Sequence, residues 1–159
     1  METLSTASLI NAARSGELDL IKEIANQNIN FNVSDEKGFT PLIIACYNNR
    51  LDVAALIIEA GADVNGADLG GNTALMGACF KGYAEIAKLL IDKNANLDLQ
   101  HGNGGTALMF ATMFGRNDVV KILLNAGADK TIRDMRGNTA LDLAFQQNNL
   151  EAIEILQID

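Results

Sequence analysis

The chain has one proline, one histidine, two cysteines and no tryptophan among 159 residues, and its 12 basic residues are outnumbered by 20 acidic ones. Each shortage closes off a class of protein. With so little proline, collagen-like and mucin-like chains are excluded. Two cysteines cannot build a disulfide framework, so a reducing compartment is expected, with the cytoplasm as the default. The formal net charge of −8 argues against nonspecific binding to nucleic acid or to an anionic membrane, both of which require a basic surface. No uncharged apolar run approaches the roughly 20 residues that span a bilayer. The first 20 residues hold Glu2, Glu17 and Asp19 against one base, Arg14, which is unlike a signal peptide. What remains is 48% hydrophobic, enough for a core, and the length suits a single domain over residues 1–159.

The dominant feature is an internal repeat of 33 residues. Thr-Pro-Leu begins at Thr40, and Thr-Ala-Leu begins at Thr73, Thr106 and Thr139. Gly38, Gly71, Gly104 and Gly137 precede these threonines by two positions. Asp35, Asp68 and Asp134 precede the glycines by three, with His101 as the exception. Ala45, Ala78, Ala111 and Ala144 follow the threonines by five, and stepping back one period from Leu42 and Ala45 reaches Leu9 and Ala12 in a degenerate first copy. Each unit reads as turn, helix, turn, helix. Thr40 suits an N-cap and Pro41 the first helical position, predicting a helix from about Pro41 to Asn48. Asn49, Gly82, Gly115 and Asn148 share a column that tolerates left-handed backbone at a helix end. The second helix carries runs such as Leu51–Ile58 and Val119–Leu124, ended by Gly61, Asn94 and Gly127. The polar stretch after it, as in Gly61-Ala62-Asp63-Val64-Asn65, predicts a β-turn or small hairpin.

The combination of Asp-x-x-Gly-x-Thr-Pro-Leu, an alanine-rich first helix and Gly-Ala-Asp-Val-Asn after the second resembles the ankyrin repeat over nearly the whole chain. The resemblance implies an all-α solenoid of stacked helix pairs in about five copies, at residues 2–34, 35–67, 68–100, 101–133 and 134–159. Two departures stand out. The histidine usual after Thr-Pro-Leu is replaced by Ile43, Met76, Met109 and Asp142, and proline survives only at Pro41; looser helix capping is expected there. Helix pairs that bury their faces by stacking need polar outer faces at the ends. Asn11, Arg14, Lys22, Glu23 and Gln27 in the first copy, and Glu151, Glu154 and Gln157 in the last, predict a solenoid capped at both ends.

No catalytic constellation converges in the sequence, so the chain reads as noncatalytic. His101 is expected as a solvated turn residue. Cys46, Cys79 and His101 lack the paired spacing of a zinc site, and neither a metal nor another cofactor is expected. Cys46 and Cys79 occupy one inward-facing column. Stacked helices hold such atoms about 8–10 Å apart, beyond the roughly 7 Å limit for a disulfide, so two free thiols are predicted. Gly102-Asn103-Gly104-Gly105 lacks the lysine and hydroxyl residue of a phosphate loop. The Asp-rich turns lack the acidic ladder of a calcium loop.

The column five residues after each core leucine holds Arg14, Tyr47, Phe80, Met113 and Gln146, polar at the ends and large and apolar in the middle. It lies about 140° around the helix from the core direction. Either these side chains pack under the neighbouring repeat or they form an exposed apolar stripe. Ankyrin-like repeats use this column and the turn tips for binding, which nominates Tyr47, Phe80, Met113 and Phe114 with the tip residues Phe39, Leu69, Met135 and Arg136. The resulting expectation is a monomeric protein–protein interaction module that binds an unidentified partner protein through its concave face. The alternative is a regulatory or inhibitory subunit that covers a partner enzyme's site.

Overall fold

The computed structural model describes residues 5–158; Glu2 and the outermost residues of the first and last repeats lie outside the described residues. Among the described residues ten helices follow one another: α1 Thr6–Ser15, α2 Leu18–Ala25, α3 Pro41–Tyr47, α4 Leu51–Glu59, α5 Ala74–Lys81, α6 Ala84–Asp92, α7 Ala107–Met113, α8 Asn117–Asn125, α9 Ala140–Gln146 and α10 Leu150–Gln157. They form five hairpin pairs. The odd-numbered helices stack in one layer, α1 on α3, α3 on α5, α5 on α7 and α7 on α9; the even-numbered helices stack behind them in the same order. This is the all-α repeat solenoid that the 33-residue period predicts.

Burial follows the columns. Leu9, Leu42, Leu75 and Leu108 are buried between the odd-numbered helices, and Ile24, Ile57, Leu90, Leu123 and Leu156 are buried behind them. Each such side chain stabilises the fold by about 1.5–3 kcal/mol relative to exposure. The shortness of every helix makes this packing, rather than intrinsic propensity, the source of its stability.

Helix starts are set by the threonine column. Thr40, Thr73, Thr106 and Thr139 Oγ1 accept hydrogen bonds from Ile43, Met76, Met109 and Asp142 N at 3.2, 3.3, 3.3 and 3.2 Å. The looser capping expected from the missing histidines is therefore not found, because this bond does not use that side chain. At two copies the replacement adds a contact: Asp142 Oδ2 accepts from Thr139 N at 2.9 Å, and Met76 Sδ from Thr73 N at 3.5 Å. Helix ends use the Asn/Gly column. Gly82 has φ of 77° and Asn49 of 57°, which turns the chain so that Tyr83 N reaches Ala78 O at 2.9 Å.

Two polar ladders bind copy to copy. Leu69 N donates to Lys37 O, Gly102 N to Gly70 O and Met135 N to Asn103 O, at 3.1, 2.9 and 3.0 Å. The tips touch so closely that a Cβ on Gly38 would lie 2.7 Å from Leu69 N. On the loops after the even-numbered helices, Asn32, Asn65 and Asp98 Oδ1 accept from Asp63, Asn96 and Asp129 N at 2.7, 2.7 and 2.8 Å. Arginines staple alternate pairs. Arg50 Nε donates to Arg14 O at 3.0 Å and Arg116 Nε to Phe80 O at 3.2 Å, closing the C-terminal carbonyls of α1 and α5. Of the β-turn or small hairpin expected in the loops, the described residues show turns in each copy and one isolated antiparallel bridge, Ala67 to Thr73.

The fifth pair departs from a polar outer face. Phe145 and Leu150 are 54% and 67% exposed, because Phe145 occupies the column of Cys46, Cys79 and Thr112, which in the inner pairs is covered by the next pair. None of the described helices is long and apolar enough to cross a membrane.

Candidate groove at the turn tips

Where the turn tips stand against the odd-numbered helices, a concavity of about 540 Å³ opens between the second and third pairs. Its apolar wall consists of Phe39 from the tip, Ile43, Ile44 and Tyr47 from α3, Met76 and Phe80 from α5 and Phe110 from α7. Gly77 forms the floor. A second hollow of about 550 Å³ adjoins it toward α1 and shares Arg14 and Phe39 with it. The two make one elongated trough.

An aromatic ladder edges the trough. Tyr47 and Phe80 are stacked with centroids 6.3 Å apart and planes at 7°, and Phe80 meets Phe114 edge-on at 4.5 Å. Such pairs add about 0.5–1.5 kcal/mol beyond area burial. The ladder leaves the column in which the sequence places it. After Phe80 it steps to Phe114 rather than Met113, because α7 ends at Met113 and Phe114 is its C-cap residue. Lys81 Nζ lies 4.7 Å from the Tyr47 ring centroid, a cation–π contact. Tyr47, Met113 and Phe114 are 43%, 36% and 43% exposed, and Phe80 is half-buried between its neighbours.

The sequence-nominated residues thus divide. Phe39, Tyr47 and Phe80 line the trough. Met113 and Phe114 extend its edge. Leu69, Met135 and Arg136 are exposed at the tips, outside the trough. Sequence reasoning about the column after the core leucine missed the floor: Ile44, Gly77 and Phe110 belong to a different column, Asn11–Ile44–Gly77–Phe110–Leu143. Its signal was the wide swing in side-chain size along one column.

His101 is not a solvated turn residue. It is half-buried, edge-on to Phe110 with ring centroids 5.1 Å apart. Its Nδ1 accepts from Gly105 N at 2.9 Å, the bond that Asp35, Asp68 and Asp134 Oδ1 each make to Phe39, Asn72 and Asn138 N at 2.9 Å. The larger ring explains the glycine there, since a Cβ on Gly105 would lie 2.8 Å from His101 Cε1. Cys46 and Cys79 are unpaired and buried. Burial raises both thiol pKa values, Cys46 to about 12, which suppresses the reactive thiolate. No cluster of histidine, cysteine or carboxylate side chains among the described residues could hold a metal ion.

Charge is divided between the two layers. The even-numbered helices carry nine acidic and three basic residues, whereas the odd-numbered helices carry only Arg14, Lys81 and Asp142. A family model described as ankyrin repeats, in three copies, matches residues 9–101 and again residues 75–159. None of the curated proteins matches the chain. Repeats of this type generally serve as protein–protein interaction modules. Period, capping, paired helices and the family match agree: the chain belongs to the ankyrin-repeat family.

Proposed function

We propose that residues 1–159 act as one noncatalytic protein-binding domain, and that the trough between the turn tips and the odd-numbered helices receives the partner. One observation carries this reading: a concavity of about 540 Å³ with apolar walls and a partly exposed aromatic edge. Large apolar surfaces left open on a water-soluble fold mark interaction sites, and aromatic side chains are where binding energy concentrates. The stacked pairs and their two polar ladders hold the walls in place before a partner arrives, which lowers the entropy lost on association. The scarcity of cysteine, two in the whole chain, supports a reducing compartment such as the cytoplasm.

The test is affinity capture with the wild type, with Tyr47→Ala/Phe80→Ala, and with an even-helix control, Glu85→Gln. A protein retained by the wild type and the control but lost by the double variant, with all three folded by circular dichroism, supports the reading. Equal capture by all three overturns it. The regulatory form of the same reading, in which the chain covers an enzyme's site, adds a further requirement: the captured protein's activity must fall as the chain is added.

A further inference from the structure

Three copies hold the turn before their first helix with a carboxylate. Asp35, Asp68 and Asp134 Oδ1 each accept two backbone amides, two and four residues on: Lys37 and Phe39, Gly70 and Asn72, Arg136 and Asn138, at 2.8–2.9 Å. The fourth copy holds it with a ring. His101 Nδ1 accepts the second of these amides, Gly105 N, at 2.9 Å. A ring nitrogen that accepts carries no proton, so this imidazole is neutral and bears its hydrogen on Nε2.

A carboxylate and an imidazole differ in when they stop accepting. Carboxylates take up a proton near pH 4 and keep acceptor oxygens even then. Imidazoles change charge between about pH 5 and 8, and lose their one acceptor as they do. Gly105 is buried, so a proton on Nδ1 leaves its N–H without a partner and away from water, a costly state. That proton has an acceptor at hand, since Nδ1 also lies 3.2 Å from Gly105 O; the ring changes partner and the amide is orphaned. The loss falls at a sensitive place. Gly105 adjoins Thr106, the N-cap of α7, and the ring stands edge-on to Phe110, which walls the trough.

The elements packed on the ring bring few charges to it. α7 carries none. The preceding tip, where Gly102 N donates to Gly70 O, carries Asp68; the following tip, where Met135 N donates to Asn103 O, carries Asp134 and Arg136. Both carboxylates are turned into their own amides. Asp134 is held below the ordinary carboxylate range, first by the Asn138 amide, and stays charged through pH 5. Lys81 of α5 lies over Tyr47, and Asp142 of α9 pairs with Arg133.

We propose that His101 is a pH-sensitive latch: a proton taken from solvent onto Nδ1 in mildly acidic solution releases the Gly105 amide and loosens the fourth copy at the start of α7 and at Phe110, while the three aspartate-held turns stay closed.

Nuclear magnetic resonance of the intact chain between pH 7.5 and pH 5 tests this, and the single histidine makes the ring signals unambiguous. The ring should titrate in this range. The protection of the Gly105 amide against hydrogen exchange, corrected for the intrinsic pH dependence of exchange, should fall roughly tenfold or more with the same midpoint, and the Phe110 ring signals should move with it. The Phe39, Asn72 and Asn138 amides should keep their protection. His101→Asp restores the carboxylate of the other copies and should leave Gly105 equally protected at both pH values. His101→Asn, which accepts without titrating, should do the same and separates lost charge from altered geometry. A ring that stays neutral down to pH 5, or one that titrates while Gly105 remains protected, overturns the latch. So does an equal fall in His101→Asp, which would assign the opening to another group, or an equal fall at the aspartate-held amides. None of these readouts requires a ligand, so they stand apart from the reading of the trough as a binding site.

Discussion

At the scale of single residues, the unusual positions are those where one repeat breaks its column. Gly77 is the clearest. Because its backbone is helical and an added Cβ has room beside Tyr47, Gly77→Ala should stabilise the fold by about 1 kcal/mol, raising the thermal midpoint by about 2–4 °C for a chain of this size. Calorimetry on the two proteins checks this, and a lower midpoint would mean that the hollow is needed for packing. Cys46 and Cys79 behave oppositely: each fits its column and is sealed by it. Their raised pKa values and burial predict that an aromatic disulfide reagent titrates two thiols in denaturant without reductant, and that folded protein reacts only as fast as it opens. Rapid labelling of the folded chain would contradict that.

At the scale of the elements, helix starts and ends were legible because they depend on local chemistry. A threonine three residues before an amide, or Gly or Asn at a left-handed position, does the same work in every copy. The trough was less legible. It arises from differences between copies, Ile44 beside Gly77 beside Phe110, and from tip residues brought over the helices by the fold, and neither is a property of one column. The column of Tyr47, Phe80 and Met113 therefore coincides with the trough wall only at Tyr47 and Phe80, and Leu69 and Met135 project from the tips apart from it. One capping detail has a pH signature. Asp142 is held below its ordinary carboxylate pKa by the Thr139 backbone amide, then by the Thr139 hydroxyl and by the charge of Arg133. A lowered folded-state value contributes stability above the unfolded carboxylate pKa of about 4, and that contribution is lost as pH falls through the folded value. Asp142→Asn should accordingly melt below the wild type at pH 7, and the gap should close as the pH is taken below about 4. A gap independent of pH would assign the loss to geometry rather than charge.

At the scale of the whole molecule, stability is a chain of nearest-neighbour interfaces. Each inner pair contributes to two, and the fifth pair has one described neighbour. The leucine column samples this directly: Leu75 lies at 1% exposure between α3 and α7, whereas Leu141, its equivalent in α9, is half-buried. Leu75→Ala should leave a cavity felt at both of its interfaces and cost about 2–5 kcal/mol. Leu141→Ala removes the same atoms from a site with one neighbour and open space, and should fall at or below the low end of that range. Phe80→Ala belongs to neither class. It loses contacts with Tyr47 and Phe114, worth about 0.5–1.5 kcal/mol each, but opens no sealed cavity, so the chain should remain folded while the trough loses its central ring. Denaturant unfolding of the three variants ranks them, and hydrogen exchange shows where each opens first. The ordering expected is Leu75→Ala least stable, with protection lost on both sides of α5, and Leu141→Ala frayed only at α9 and α10. If Phe80→Ala destabilises as much as Leu75→Ala, Phe80 belongs to the core, and the aromatic ladder holds the stack together instead of offering itself to a partner.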